Sequence, residues 1–297
     1  MSDMIKVLKT DLYRLFRSKA FLFVFPIYLA IQLGIGMFFS ADTVGVEVEN
    51  ESDRQGGIVV QKYDDTDTDA NAKVKENIKV PVYISTVEMF GNLYTGQLML
   101  FLGIVLVIFC TCETRMGFVK NAAGAVSDRA YMTISKMIVG AVILVTYIIE
   151  YAVMYVLTQL LHGLISGSKI KYLPIPDGEG TAFIKYLLLC IFVHLVFIAL
   201  IAVFHELTYN RALGIVVTFM LATTLFEEMI RGVITLGRHF FDIWHEVDIN
   251  RYLLMVNIQG GYKAGTYHPQ IVLIMSLIYF TVFTGLAVFI SRKKEIR

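Results

Sequence analysis

The chain has 297 residues, of which 56% are hydrophobic and 17% charged, and its formal net charge is +1. A soluble domain carries about 45–50% apolar and about 25% charged residues, so this balance excludes a disordered chain and argues against a soluble globular one. The near-neutral charge excludes a strongly basic or acidic global character, so nucleic acid is not an expected partner. Cys110, Cys112 and Cys190 all lie in apolar runs, an odd set that gives no disulfide framework.

Residues 4–19 open the chain as an amphipathic stretch. Ile5, Leu8, Leu12, Leu15 and Phe16 recur at helical spacing, with Lys6, Lys9, Arg14 and Arg17 off that stripe. Such a helix is expected to lie in the headgroup layer, apolar face down. The first long apolar run follows at 20–39. It exceeds a signal-peptide core, and Phe39 stands where a cleavage site needs a small residue, so the run is expected to remain as a span.

A hydrocarbon core of about 30 Å needs about 20 apolar residues in a helix. Six runs meet that length: 20–39, 93–112, 137–161, 183–204, 212–230 and 270–291. The expected fold class is thus all-α and polytopic, with six transmembrane helices. With the amino terminus inside, the inside segments 1–19, 113–136, 205–211 and 292–297 hold 14 Lys and Arg in 56 positions. The outside segments 40–92, 162–182 and 231–269 hold 11 in 113. The positive-inside rule then puts both termini in the cytosol.

Between the first two spans, residues 40–92 carry 11 acidic and 5 basic residues. Val44 to Val48 alternates, and 58–60 and 80–83 read as strands, so a small extracytoplasmic cap with β structure is expected. Asp65, Asp67, Asp69 and Glu76 fall at the acidic spacing of an EF-hand calcium loop. Ala70 occupies the position of the turn glycine, which favours a solvated acidic loop over a calcium site.

Residues 113–136 form the polar connection between the second and third spans. Glu113-x-x-x-Gly117-Phe-Val-Lys120-Asn121 is followed by Ser127-Asp128-Arg129 and by Ser135-Lys136 at the opening of a span. This segment, with the amphipathic lead-in and the six-span layout, resembles the permease subunit of type-two ATP-binding-cassette exporters, the bacitracin-resistance and lantibiotic-immunity kind. The resemblance covers the whole chain. It implies that Glu113, Gly117, Lys120 and Asn121 lie on a helix docked in a separate ATPase subunit. It also implies two permease copies, as a homodimer or with a close paralogue, in a bacterial plasma membrane. The sequence has no Gly-x-x-x-x-Gly-Lys-Ser/Thr run, so ATP and magnesium are expected on the partner subunit and no cofactor on this chain.

Beyond that loop, Glu150 sits in the middle of the third span and His194 at the matching depth of the fourth. A charge at the bilayer centre costs about 2.5–3.5 kcal/mol on insertion scales. The two are therefore expected to meet, as a helix pin or in the transport path. Glu227, Glu228 and Arg231 close the fifth span. They read as an exposed Glu–Arg cluster or as an outer gate. Segment 231–269, with Phe240, Phe241, Trp244 and Tyr252, resembles the family's short helices dipping into the outer leaflet, and 292–297 is a basic tail.

Other functions leave weaker traces. Glu227-Glu228-Met-Ile-Arg231 and Phe241-x-x-x-His245 resemble motifs of CAAX-type intramembrane proteases, but Arg231 comes one residue early, a rotation of about 100°. An uncoupled channel or scaffold would leave the 113–136 loop without a role. The 21 Phe, 16 Tyr and 13 Met suit a hydrophobic or amphipathic cargo. By resemblance that cargo is a cytotoxic peptide, lantibiotic, lipophilic drug or lipid, with phenol-soluble-modulin exporters the expected kind.

Overall fold

A computed structural model describes residues 2–42, 81–91, 96–115, 128–241, 249–259, 261 and 267–293. Most of these are helical. In chain order the elements are α1 (Ser2–Arg17), α2 (Lys19–Asp42), β1 (Val82–Ser85), α3 (Thr86–Gly91), α4 (Gly96–Arg115) and α5 (Ala130–Ser166). They continue with β2 (Ile170–Leu173), α6 (Gly180–Thr208), α7 (Arg211–Ala222), α8 (Leu225–Phe241), a 3₁₀ turn (Ile249–Tyr252), α9 (Leu254–Gln259) and α10 (Pro269–Lys293).

Three helices, α5, α6 and α10, are long and apolar enough to cross a membrane, and five spans result if each of two bent helix pairs counts as one. The chain therefore has membrane-protein character. The apolar part of α4, Gly96–Cys112, is shorter than these and corresponds to the expected second span. At about 1.5 Å per residue, the 37 residues of α5 extend roughly 55 Å, well beyond a hydrocarbon core.

The first bent pair is α1 and α2, which meet at 55°. Ser18 ends one helix and starts the next, its hydroxyl accepting from the Phe21 amide at 3.1 Å. This is an N-cap, which satisfies one of the orphan amides of a helix start. The buried edge of α1 is Val7, Asp11 and Leu15, spaced one turn apart, while Ile5 and Phe16 of the expected apolar stripe stay exposed.

The second bent pair changes the expected fifth span. Instead of one helix over 212–230, α7 ends at Ala222 and α8 leaves at 74°. Thr224 at the break has φ of +60°, a left-handed conformation that costs a β-branched residue energy. Twelve residues of α7 cover only about 18 Å, short of the hydrocarbon thickness.

α6 lies at the centre, packed against α4, α5, α7 and α10. The α4–α7 contact depends on missing side chains. A Cβ on Gly103 would stand 2.2 Å from the Thr218 methyl, and one on Gly214 would stand 2.7 Å from Val107. Small residues let membrane helices approach closely where lipid offers no hydrophobic drive.

β1 and β2 pair in parallel, Val82 opposite Ile170 and Ser85 opposite Leu173. The strand expected at 80–83 is thus present from Val82. Both strands come from segments expected on the same side of the membrane. The other cap strands and the acidic quartet Asp65, Asp67, Asp69 and Glu76 lie outside the described residues.

Candidate coupling and transport sites

At one end of the bundle the chain gathers polar groups from α1, α5, α6, α7 and α10. Asp11 of α1 accepts a 2.6 Å hydrogen bond from the Ser135 hydroxyl of α5, both side chains buried. One residue on, Lys136 lies 3.6 Å from Glu206 of α6. Thr133 and Tyr209 both donate to Glu206 at 3.2 Å. Next to this cluster Asn210 caps α7 by accepting from the Ala212 amide at 2.9 Å. Arg211 reaches Thr111 of α4 at 3.2 Å.

The last residues of the 113–136 loop are tied to the far end of the chain. Asp128 accepts from the Ala130 amide at 2.9 Å and receives the Arg292 guanidinium on both carboxylate oxygens. The Arg292 contact, aided by that amide, holds the Asp128 carboxyl below its ordinary range. The amino-terminal helix, the loop and the end of α10 thus share one end of the fold. Glu113 belongs to the last turn of α4. Gly117, Lys120 and Asn121 lie outside the described residues.

The expected contact between Glu150 and His194 is not made. Both are buried, at 6% and 0% exposure. His194 donates from Nδ1 to the Cys190 carbonyl of its own helix at 2.7 Å. Neither carboxylate oxygen of Glu150 has a hydrogen-bond partner among the described residues. Depth along two antiparallel helices follows from residue counts, but contact also requires that the two side chains share a face. Tyr147 stands one turn before Glu150 on α5, and its ring is 5.0 Å from that of Tyr28 of α2.

At the opposite end, Glu227 and Glu228 part company. Glu228 forms the expected exposed pair with Arg231, at 2.9 and 3.0 Å. Glu227 is 7% exposed and accepts from the Met255 amide at 2.8 Å and from the Val256 amide at 3.1 Å. These are the second and third residues of α9, whose first amides have no partner within the helix. The expectation of a single exposed cluster is corrected accordingly: a rotation of about 100° between adjacent helical residues sends one carboxylate inward.

The segment held by Glu227 has two further clamps. The Asn257 side-chain amide donates to the carbonyls of Asn250, Arg251 and Leu253 at 2.8–2.9 Å. The Tyr186 hydroxyl lies 3.0 Å from the carbonyls of both Gly91 and Ile258. A 3₁₀ turn and α9 thus occupy 249–259 within the 231–269 segment, tied by Glu227, Asn257 and Tyr186. Trp244 and His245 lie outside the described residues.

Sequence reasoning did not single out Asp11, Glu206, Asn257 or Tyr28. The available signal was a polar residue within or at the edge of an apolar run, as Glu206 and Asn257 are. Among the described residues no three His, Cys, Asp or Glu are grouped to hold a metal ion. No family model, curated protein or solved structure matches the chain.

Proposed function

We propose that this chain is the membrane subunit of an ATP-driven exporter, powered by a separate cassette ATPase and working as a pair of permease copies in a bacterial plasma membrane. The observation that carries the reading is the shared polar end. Asp11–Ser135 and Asp128–Arg292 tie together the amino-terminal helix, the mouth of the 113–136 loop and the end of α10. A subunit that receives force from a soluble partner needs its receiving segments braced against its spans. Charge inside those spans, at Lys136–Glu206, connects the same end to α6.

On this reading Glu113, Gly117, Lys120 and Asn121 contact the ATPase, and both termini face the cytosol. The cargo is an amphipathic peptide or hydrophobic toxin. The short helices at 249–259, held by Glu227, lie where cargo leaves.

The test is co-expression with a cassette ATPase and reconstitution in lipid nanodiscs. Glu113→Lys, Lys120→Glu and Gly117→Trp should each insert and purify as the parent does, yet lose stimulation of the ATPase. Unchanged stimulation in all three would retire the reading. Cysteines at positions 55 and 73 should label with an impermeant maleimide from outside intact cells, and those at 122 and 294 should not.

A further inference from the structure

The apolar helices of this chain are of unequal height. At about 1.5 Å per residue, α5, α6 and α10 extend roughly 55, 43 and 37 Å, each more than a hydrocarbon core of about 30 Å. α7 covers only about 18 Å, and the apolar part of α4, Gly96–Cys112, about 25 Å.

The two short helices stand together and are level at both ends. A Cβ on Gly96 would stand 2.2 Å from the Ala222 carbonyl oxygen at one end, and Arg211 reaches Thr111 at the other. Between these ends Gly103 meets Thr218 and Gly214 meets Val107. The pair is thus one low flank of the bundle. On its outside, Leu213, Val216 and Phe219 of α7 are exposed at a spacing of three.

α8 starts where this flank stops. It leaves at 74°, so its 17 residues add only about 7 Å along the direction of α7. α7 and α8 together therefore rise about 25 Å, level with α4 and short of a hydrocarbon core.

The two faces of α8 are turned the opposite way from those of a helix in water. Leu225, Met229, Val233 and Leu236 lie on one stripe and are 45–66% exposed. Glu227, Arg231, Thr235 and Arg238 occupy the other side. Glu227 is turned inward onto the amides of α9, and Arg231 and Arg238 are half-buried. A surface helix in water packs its apolar stripe on the core and leaves its polar face outside. Here protein takes the polar side and the apolar stripe is left to the surroundings. Beside the exposed stripe of α7, those surroundings are hydrocarbon.

The charges on α8 then fix the level of the bilayer. Glu228 and Arg231 pair at 2.9 Å with side chains 49% and 36% exposed. In a bilayer of ordinary thickness α8 would lie below the boundary and this pair would be immersed in hydrocarbon, a costly placement. In a bilayer drawn down to about 25 Å, α8 lies at the boundary, with its stripe among acyl chains and the pair among headgroups. Bilayers thin around short spans at modest cost.

We propose that the α4–α7 flank thins the bilayer beside it, and that α8 forms the rim of the thinned patch, its Leu225, Met229, Val233 and Leu236 stripe seated on phospholipid acyl chains. The proposal is independent of the exporter reading, since it concerns the lipid around the chain and not what crosses it.

The test uses the full chain with its one tryptophan removed by Trp244→Phe. New tryptophans are placed singly on the stripe, by Val233→Trp or Met229→Trp, and on the polar side, by Thr235→Trp. Each protein is reconstituted in phosphatidylcholine vesicles whose chains carry bromine either close to the headgroup or close to the chain end, and quenching of fluorescence is read. Bromine near the headgroup should quench both stripe tryptophans about twofold more strongly than bromine near the chain end, as a rim at the local boundary requires. Thr235→Trp should be quenched weakly by either lipid. Two stripe positions are used so that one that fails to insert leaves the other. Equal or stronger quenching from the chain end would place α8 deep in a bilayer of ordinary thickness and overturn the proposal. Absence of quenching on the stripe would mean that water or a second copy of the chain covers it, and would overturn the proposal as well. So would equal quenching at Thr235→Trp and on the stripe.

Discussion

Lys136 and Glu206 face each other at 3.6 Å with side chains only 5% and 4% exposed. Each loses hydration, and attraction in a low dielectric offsets that loss only with further hydrogen bonds, which Thr133 and Tyr209 provide on the Glu206 side. Removing one partner takes a buried counter-charge away from the other. Lys136→Ala or Glu206→Ala should each cost about 3–5 kcal/mol. Lys136→Met combined with Glu206→Leu should cost much less than either, because no charge is left behind. Thermal unfolding of the four proteins in one detergent measures the cycle; additive single costs would mean that the pair does not interact.

Glu227 makes a different kind of tie. Its carboxylate serves two backbone amides, so Glu227→Ala leaves the Met255 and Val256 amides buried without acceptors, at about 1–3 kcal/mol. Amide hydrogen exchange over 254–258 should accelerate in Glu227→Ala and stay near the parent in Glu228→Ala, whose exposed pair with Arg231 is worth about 0–1 kcal/mol. Equal acceleration in both variants would contradict the inward role of Glu227.

Thr224 holds a left-handed φ of +60° that asparagine or glycine adopts at lower cost. Thr224→Asn should keep the 74° bend and stabilise the fold by up to about 1 kcal/mol, read as a slightly higher melting temperature. Thr224→Ile should lower it. A lower melting point in Thr224→Asn would show that the hydroxyl matters more than the backbone.

The Asp128–Arg292 tie has a defined pH window. Arg292 lowers the Asp128 carboxyl below its ordinary value, so the folded state binds that proton less tightly than the unfolded one. The tie's contribution is full above the ordinary carboxylate range and is lost as pH falls through the lowered value. The melting difference between the parent and Asp128→Asn should therefore be flat from pH 8 to about 5.5 and shrink below about 4. Both groups are solvent-exposed enough that the difference should also diminish in high salt.

How much of this was legible in the sequence varied with the physics involved. Helices expected at 137–161, 183–204 and 270–291 fall within α5, α6 and α10, because long apolar runs have few alternatives. The break at Thr223 and Thr224 was not legible. It has neither proline nor glycine, and the bend comes from a backbone conformation that composition does not encode. For α1 the helical period was readable but not its rotation, since Asp11 faces inward to meet a serine far along the chain. Glu150 and His194 share no hydrogen bond among the described residues: counting residues gives height, and height alone does not make a contact. The fates of Glu227 and Glu228 turn on one step of helical rotation, invisible until α9 supplies the amides.

The pairing of Val82 with Ile170 carries a consequence for how the molecule is assembled. Parallel strands cannot be joined by a tight turn, and here the crossover contains α3, α4 and α5. β1 is synthesised well before its partner and must wait, edges open, until the long helix α5 has been made and returned beside it. Loop closure over such a separation is slow relative to local helix formation. The ladder therefore closes only after all of α5 has been synthesised.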